Sequence, residues 1–230
     1  MRHRGAAHVF VADLAAPVLT SDDAHHLARV LRLRAGEPVT ASDGRGGYRL
    51  CAFAENDALE PLGAVEYDDA PGVAVTVAFA LTKADKPELA VQKLTELGVD
   101  RIVPVAAARS VVQWDAAKAA RNVERWRAVA HAAAMQSRRV FLPEVADVTP
   151  LAGVAGEGVA LAEAEGGPLD ARIHTIAVGP EGGWTDEELA VVPRHVDLGP
   201  TTLRAETAAV AAGVLLTALR DGRLIAGGGR

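Results

Sequence analysis

The sequence predicts an α/β protein in two parts, a small β-barrel over residues 1–70 and a domain with a mostly parallel sheet over residues 73–230. Three observations predict it. Up to about residue 70 the apolar segments are short and separated by Gly, Asp and Asn turns, as in small barrels. From Val73 onward longer apolar runs alternate with helical periodicity, the rhythm of βαβ units. Between them lies YDDAPG (67–72), acidic and turn-forming.

In the first part HVFVADL, EPVTASD, YRLCAF and GAVEY read as strands and GRGG as a turn. A short helix interrupts them, starting near Thr20 or Ser21 with Asp22 and Asp23 in its first turn and ending around Arg32. In the second part VAVTVAFAL is a strand, PELAVQKLTELG a helix stopped by Gly98, and RIVPVAA the next strand. A long helix over Asp115–Gln136 carries the apolar stripe Ala119, Val123, Trp126, Ala130 and Ala134. The strands GVALAEA and IHTIAVGP follow. Thr185 and Glu188 then form a capping box that opens a helix. HVDLGP is the last strand, and an Ala-rich helix runs from about Ala205 to Arg220. The tail GGGR reads as unstructured.

Half of the 230 residues are hydrophobic (50%), which excludes general disorder. No apolar run is long enough to span a bilayer, and MRHRGAAHVF lacks the apolar centre of a secretory signal, so a soluble cytoplasmic protein is expected. Cys51 is the single cysteine and reads as a small apolar strand residue. His3, His8, His25, His26, His131, His174 and His195 show no ligand spacing, so no metal site is expected. The net charge of −6 argues mildly against a nucleic-acid partner. Its distribution argues the other way. Residues 101–140 hold eight basic residues against only Asp115 and Glu124, and Arg29, Arg32 and Arg34 cluster beside His25 and His26. Lys118, Arg121 and Arg125, spaced by three and four, fit equally well as a solvated helix face.

In an open α/β sheet the ligand sits beyond the carboxyl ends of the strands. Three such ends stand out: Ala162–Glu165, Gly179–Gly183 and Gly199–Glu206. The second and third each place a Gly-Pro directly after the strand, and the two strands are expected to be neighbours. Loops of this kind commonly cradle phosphates, but here the charged side chain is Glu181, which repels them. A ligand with cationic or neutral groups fits better. Glu206 and Thr207 also fit as first-turn residues of the last helix, and Arg204 is expected to pair with Glu206 or with an anionic ligand group.

Taken together, LAVQKLTELGVDRIVPV (89–105), ARSVVQW (108–114), RW with AMQSRR and PEV (125–145), VGPEGGWTDEEL (178–189) and LGPTTLRAETAAVAA (198–212) resemble the RsmE-type methyltransferases of the SPOUT class. HHLARVLRLRAGE (25–37) is similar to the N-terminal PUA-like RNA-binding barrel of that family. The resemblance implies a trefoil-knotted C-terminal domain, which connection rules alone never select. It also implies a homodimer, S-adenosyl-L-methionine as cofactor, and methylation of N3 of a uridine in 16S ribosomal RNA. Glu163, Val178, Gly179, Pro180, Glu181, Gly182, Gly183, Leu198, Gly199, Leu203 and Arg204 are then expected around the cofactor. Arg204 and Glu206 match the LRAET motif beside the transferred methyl. Arg29, Arg32, Arg34, Arg109, Gln136, Ser137, Arg138 and Arg139 are expected to face RNA. Ala108, Met135 and Thr201–Thr202 depart from the usual pattern. Rival readings are a SPOUT enzyme acting on a ribose hydroxyl or transfer RNA, and a noncatalytic ribosome-assembly protein.

Overall fold

A computed structural model of the chain describes residues 5–56, 58–83 and 86–224; His3 and the GGGR tail lie outside them. The chain divides into two units. The first is Met1–Pro71 with His131–Leu142, and the second is Gly72–Ala130 with Pro143–Arg230. The end of the long helix and the turn after it thus pack with the N-terminal residues, which sequence order does not suggest.

The first unit is built on a five-stranded sheet. Strands β1 (Ala7–Phe10), β2 (Pro38–Ser42), β3 (Gly47–Phe53) and β4 (Leu59–Pro61) lie in that order, and β5 (Glu66–Tyr67) also pairs with β3. β1 and β2 are parallel, and the β3 pairings are antiparallel. β4 was not expected, because ALEPLG places a Pro at the strand end and gives no alternation. Helix α1 (Ser21–His25) is capped by Thr20, whose hydroxyl accepts from the Asp23 amide at 3.1 Å, and it continues as a wider π-helical turn over His26–Val30. The core gathers Val9, Leu27, Val39, Cys51 and Phe53, with Met135 packed against it.

A buried polar contact runs through this unit. His8 on β1 hydrogen-bonds Ser42 Oγ at 2.6 Å, and its ring sits 5.1 Å from Phe10, which in turn lies 4.9 Å from His131. Burial, with help from the positive charge of Arg138, pushes the His8 imidazole down to about 4, so it is neutral at ordinary pH.

In the second unit six parallel strands run in the order β11-β9-β10-β6-β7-β8. They are β6 (Thr76–Ala80), β7 (Arg101–Val105), β8 (Glu144–Val145), β9 (Val159–Gly167), β10 (Thr175–Val178) and β11 (His195–Val196). Strand side chains alternate between two apolar layers. Val77, Phe79, Ile102, Ile176 and Val178 face one; Ala78, Ala80, Val103, Val105 and Ala177 face the other. A parallel sheet buried on both faces needs this double hydrophobicity. Helices α2 (Lys86–Leu97), α3 (Ala116–Ser137) and α5 (Ala205–Arg220) supply Val91, Leu94, Val123, Trp126 and Leu216 to the first layer. Leu151, Val154, Trp184 and Val192 fill the second, around the short α4 (Asp186–Val191). Trp126 is 1% exposed, and truncating it to Ala costs on the order of 3–5 kcal/mol.

The helix boundaries follow the sequence signals. Gly98, at φ +92°, ends α2 in the left-handed conformation. Asp115 Oδ1 accepts the Lys118 amide at 2.7 Å and so caps α3. At the other end of α3 the left-handed residue is Arg138, at φ +59°, whose guanidinium donates to the Gly5 carbonyl oxygen at 2.6 Å.

One expectation is corrected here. β10 and β11 are not neighbours, because β9 lies between them. The two Gly-Pro turns therefore flank a third strand end rather than each other.

Candidate functional site

The middle of β9 and the carboxyl ends of β10 and β11 open onto a cavity of about 250 Å³. Ala162, Glu163 and Ala164 come from β9; Val178 ends β10, and Gly179, Pro180, Glu181 and Gly183 follow it; Asp197, Leu198, Gly199, Thr201, Thr202 and Leu203 follow β11. Ala205 and Ala208 of α5 form the floor. Small side chains leave backbone groups facing the space, as a flat heterocycle requires. The charged side chains on the lining are all acidic: Glu163, Glu181 and Asp197. Such a wall repels phosphate and accommodates a cationic ligand with an uncharged ring.

The Pro180–Gly183 loop is held from several directions. The Gly183 amide donates to the Pro180 carbonyl oxygen at 2.9 Å, and Gly183 adopts φ +69°, which glycine supplies without strain. The predicted capping box is present: Thr185 accepts from the Glu188 amide at 3.3 Å, and Glu188 Oε2 accepts from the Thr185 amide at 2.9 Å. The other Glu188 oxygen accepts from the Ala108 amide at 2.9 Å. Arg109 donates to the carbonyl oxygens of Gly182 and Trp184, at 3.3 and 2.9 Å. Gly179 has its own constraint. A Cβ there would stand 2.9 Å from Trp184 Nε1 and 3.0 Å from Cε2, inside the contact distance of a buried, rigid ring.

Nine of the residues expected around the cofactor line this cavity: Glu163, Val178, Gly179, Pro180, Glu181, Gly183, Leu198, Gly199 and Leu203. Gly182 and Arg204 do not. Gly182 faces Arg109 on the outer side of the loop. Arg204 occupies the capping position of α5, where its side chain makes no capping hydrogen bond. Of the two partners expected for Arg204, Glu206 or an anionic ligand group, Glu206 is not paired with it. Arg204 is exposed, its carbonyl oxygen accepts from the Ala208 amide at 2.8 Å, and among the described residues its guanidinium makes no hydrogen bond or ion pair, so no buried charge demands a partner. Glu206 instead faces Lys86 Nζ at 3.5 Å, and the same ammonium donates to Glu181 Oε1 at 3.1 Å. Those two carboxylates hold the Lys86 ammonium above the usual lysine range, with the Glu181 hydrogen bond the largest cause.

The residues expected to face RNA divide in two ways. Arg29, Arg32, Arg34, Gln136, Ser137, Arg138 and Arg139 belong to the first unit, and Arg109 to the second. Arg29, Arg32 and Arg34 are exposed, and so is Gln136. The others already have internal duties. Ser137 donates to the Ala133 carbonyl oxygen at 2.7 Å, Arg138 holds Gly5, and Arg109 holds the cavity loop. Of the alternative solvated face, Arg125 pairs with Glu88 at 2.8 Å, and Lys118 lies 5.7 Å from the centre of the Trp114 ring.

Sequence reasoning missed Asp197 and Lys86. Asp197 Oδ1 accepts the Gly199 amide at 2.9 Å and shapes the third turn, a role readable from Asp two residues before Gly. Lys86 carries no local signal, since its partners lie 95 and 120 residues along the chain. No helix is long and apolar enough to cross a membrane, and no group of three or more His, Cys, Asp or Glu is placed to hold a metal ion, both among the described residues.

Comparison with known proteins adds sequence and fold relatives. Residues 69–217 match the model of the RNA methyltransferase domain, and residues 19–57 that of the RNA methyltransferase PUA domain. The chain is 36% identical over 226 residues to the ribosomal RNA small subunit methyltransferase E of Mycobacterium bovis, covering 86% of this chain and 84% of that one. It is 30% identical over 218 residues to the Bacillus subtilis protein of the same name, covering 83% and 85%. A Legionella pneumophila methyltransferase solved in complex with the bound cofactor SAM superposes with a TM-score of 0.77 at 26% identity, covering 92% of this chain and 97% of that one. The fold also matches a methyltransferase E structure from Neisseria gonorrhoeae, with a TM-score of 0.81 at 24% identity over 93% and 97% of the two chains.

Proposed function

The chain belongs to the family of the ribosomal RNA small subunit methyltransferases E, and on that premise we propose that it methylates N3 of a uridine in 16S ribosomal RNA. It is an S-adenosylmethionine-dependent methyltransferase acting on small-subunit RNA. The observation that carries the finer reading is the cavity beside β9 at the ends of β10 and β11, walled by small residues and carboxylates with no cation on its lining. When bound there, the cofactor supplies an electrophilic methyl group on a sulfonium. Glu163, Glu181 and Asp197 offset that positive charge, and the backbone of the Gly179–Gly183 and Leu198–Leu203 turns reads the uncharged adenine.

Uridine N3 keeps its proton at neutral pH, so the site must remove that proton and stabilise the resulting anion. In this reading Glu206, in the first turn of α5, takes the proton directly or through water. Arg204, exposed two residues earlier at the capping position, reaches over the base and donates to a carbonyl oxygen, a role worth a few kcal/mol for one oriented donor. Arg29, Arg32 and Arg34 grip RNA phosphates from the first unit, and the base leaves its stack to reach the cavity. The enzyme is read as a cytoplasmic homodimer whose C-terminal segment threads into a knot, in accord with the strand order β11-β9-β10.

Nucleoside mass spectrometry of small-subunit RNA from a strain lacking the protein tests this directly. N3-methyluridine should vanish and return on complementation. Its persistence, or loss of a ribose-methylated or transfer-RNA nucleoside instead, contradicts the assignment.

A further inference from the structure

A second cavity, of about 270 Å³, backs onto the first. The two share a wall, because Pro180 and Glu181 line both. The second cavity is lined otherwise by Leu81 and Thr82 just after β6, by Lys83 and Lys86, and by Val111. Unlike the first, it carries cations on its lining beside the shared Glu181. Two ammonium groups stand where the donor cavity has only carboxylates, and Leu81 and Val111 offer apolar contact for the faces of a ring. Lys86 is half-buried and its ammonium lies between Glu181 and Glu206, at 3.1 and 3.5 Å. Glu206 Oε2 is itself buried and makes no hydrogen bond, so its contact with Lys86 is an ion pair of loose geometry that can be exchanged for another.

Methyl transfer needs donor and acceptor on opposite sides of a short gap, and the acceptor here must become an anion. An acidic donor cavity repels such an acceptor; a neighbouring cavity carrying lysines attracts it. We propose that this second cavity receives the pyrimidine ring to be methylated, and that Lys86 is a catalytic residue that donates to one of the two carbonyl oxygens flanking N3. The proposal deepens the uridine-N3 reading and rests on it. Arg204, which lines neither cavity, then serves the other carbonyl oxygen from outside.

The step balances. The N3 proton passes to the Glu206 carboxylate. The N3 electron pair forms the new N–C bond as the C–S bond of the sulfonium donor breaks, and that bond's electron pair stays on sulfur to leave a neutral thioether. Protonation of Glu206 dissolves its ion pair with Lys86, and the freed ammonium turns to the pyrimidine oxygen where negative charge is developing. Glu181 keeps its hydrogen bond to the same ammonium and so fixes the position from which it turns.

The test uses the full-length protein, S-adenosylmethionine, and small ribosomal subunits from a strain lacking the protein. Single-turnover methyl transfer is measured beside donor binding by calorimetry, for wild type, Lys86→Met, Lys86→Arg and Val111→Trp. Val111 is 62% exposed, so a bulky side chain there fills the cavity mouth without disturbing the core. Lys86→Met and Val111→Trp should keep donor affinity within threefold of wild type and slow methyl transfer at least 50-fold. The Lys86→Met deficit should shrink as pH rises and the base ionises unaided, and Lys86→Arg should recover part of the rate. Transfer within threefold of wild type in both Lys86→Met and Val111→Trp overturns the proposal. So does a Lys86→Met loss of donor affinity as large as its loss of rate, which makes Lys86 a support of the donor loop. If wild type itself transfers no methyl group to the subunit, the parent reading fails instead, and this one with it.

Discussion

Arg109 Nη1 donates to the carbonyl oxygen of Trp184 at 2.9 Å, tying the segment after β7 to the loop that walls the donor cavity. A second bond to Gly182 at 3.3 Å and the Glu188 bond to the Ala108 amide make the tie three-stranded. The loop therefore keeps its shape through contacts made by residues that do not line the cavity.

Arg109→Ala removes two charge-assisted bonds and should weaken cofactor binding by on the order of 1–2 kcal/mol, about tenfold, in calorimetry. Gly179→Ala should weaken it at least as much, because the new methyl meets the Trp184 ring and moves the loop. Unchanged affinity in both variants would mean that the loop does not shape the cofactor site.

Arg204→Ala should behave differently. Arg204 is absent from the cavity lining, and among the described residues its side chain makes no hydrogen bond or ion pair, so cofactor affinity should stay within about threefold while turnover falls about a hundredfold. Rate measurements at saturating cofactor decide it; near-wild-type turnover removes Arg204 from the chemistry.

Much of this was legible in the sequence. The Thr185 capping box, the Gly98 stop and the Ala205–Arg220 helix are local signals, and the structure realises each. The double alternation of β6, β7 and β10 likewise announces a sheet covered on both faces. What the sequence hides is non-local. The insertion of β9 between β10 and β11 depends on how the chain crosses over, and no residue pattern encodes it. Lys86 meets Glu181 and Glu206 only once three distant segments converge, and the packing of His131–Leu142 with the first unit is equally invisible. Of the two partners expected for Arg204, Glu206 is taken by Lys86, and Arg204 itself is exposed at the capping position of α5.

Stability should depend on pH through His8. Its folded value of about 4 lies below the ordinary 6.5, so between those values the unfolded chain binds a proton that the folded chain does not. Stability contributed by the neutral imidazole is present above about 6.5 and is lost as pH falls toward about 4, by on the order of 3 kcal/mol in all. Denaturation at pH 7 and pH 5 should show most of that loss in wild type and a smaller one in His8→Asn; equal losses in both place the sensitivity elsewhere.

RNA affinity should fall steeply with salt. Replacing Arg29, Arg32 and Arg34 by Ala removes three exposed charges and should lower the slope of log affinity against log salt by about 2–3. Filter binding between low and moderate salt measures it, and an unchanged slope places the phosphate grip on other residues.

The most direct measurement is a crystal structure of the protein with S-adenosylmethionine or its demethylated product. The account predicts the ligand beside Ala162–Ala164 of β9 at the ends of β10 and β11, its adenine against the Leu198–Leu203 turn and its sulfur beside Pro180. Density for the ligand elsewhere, with those three turns unoccupied, would contradict it.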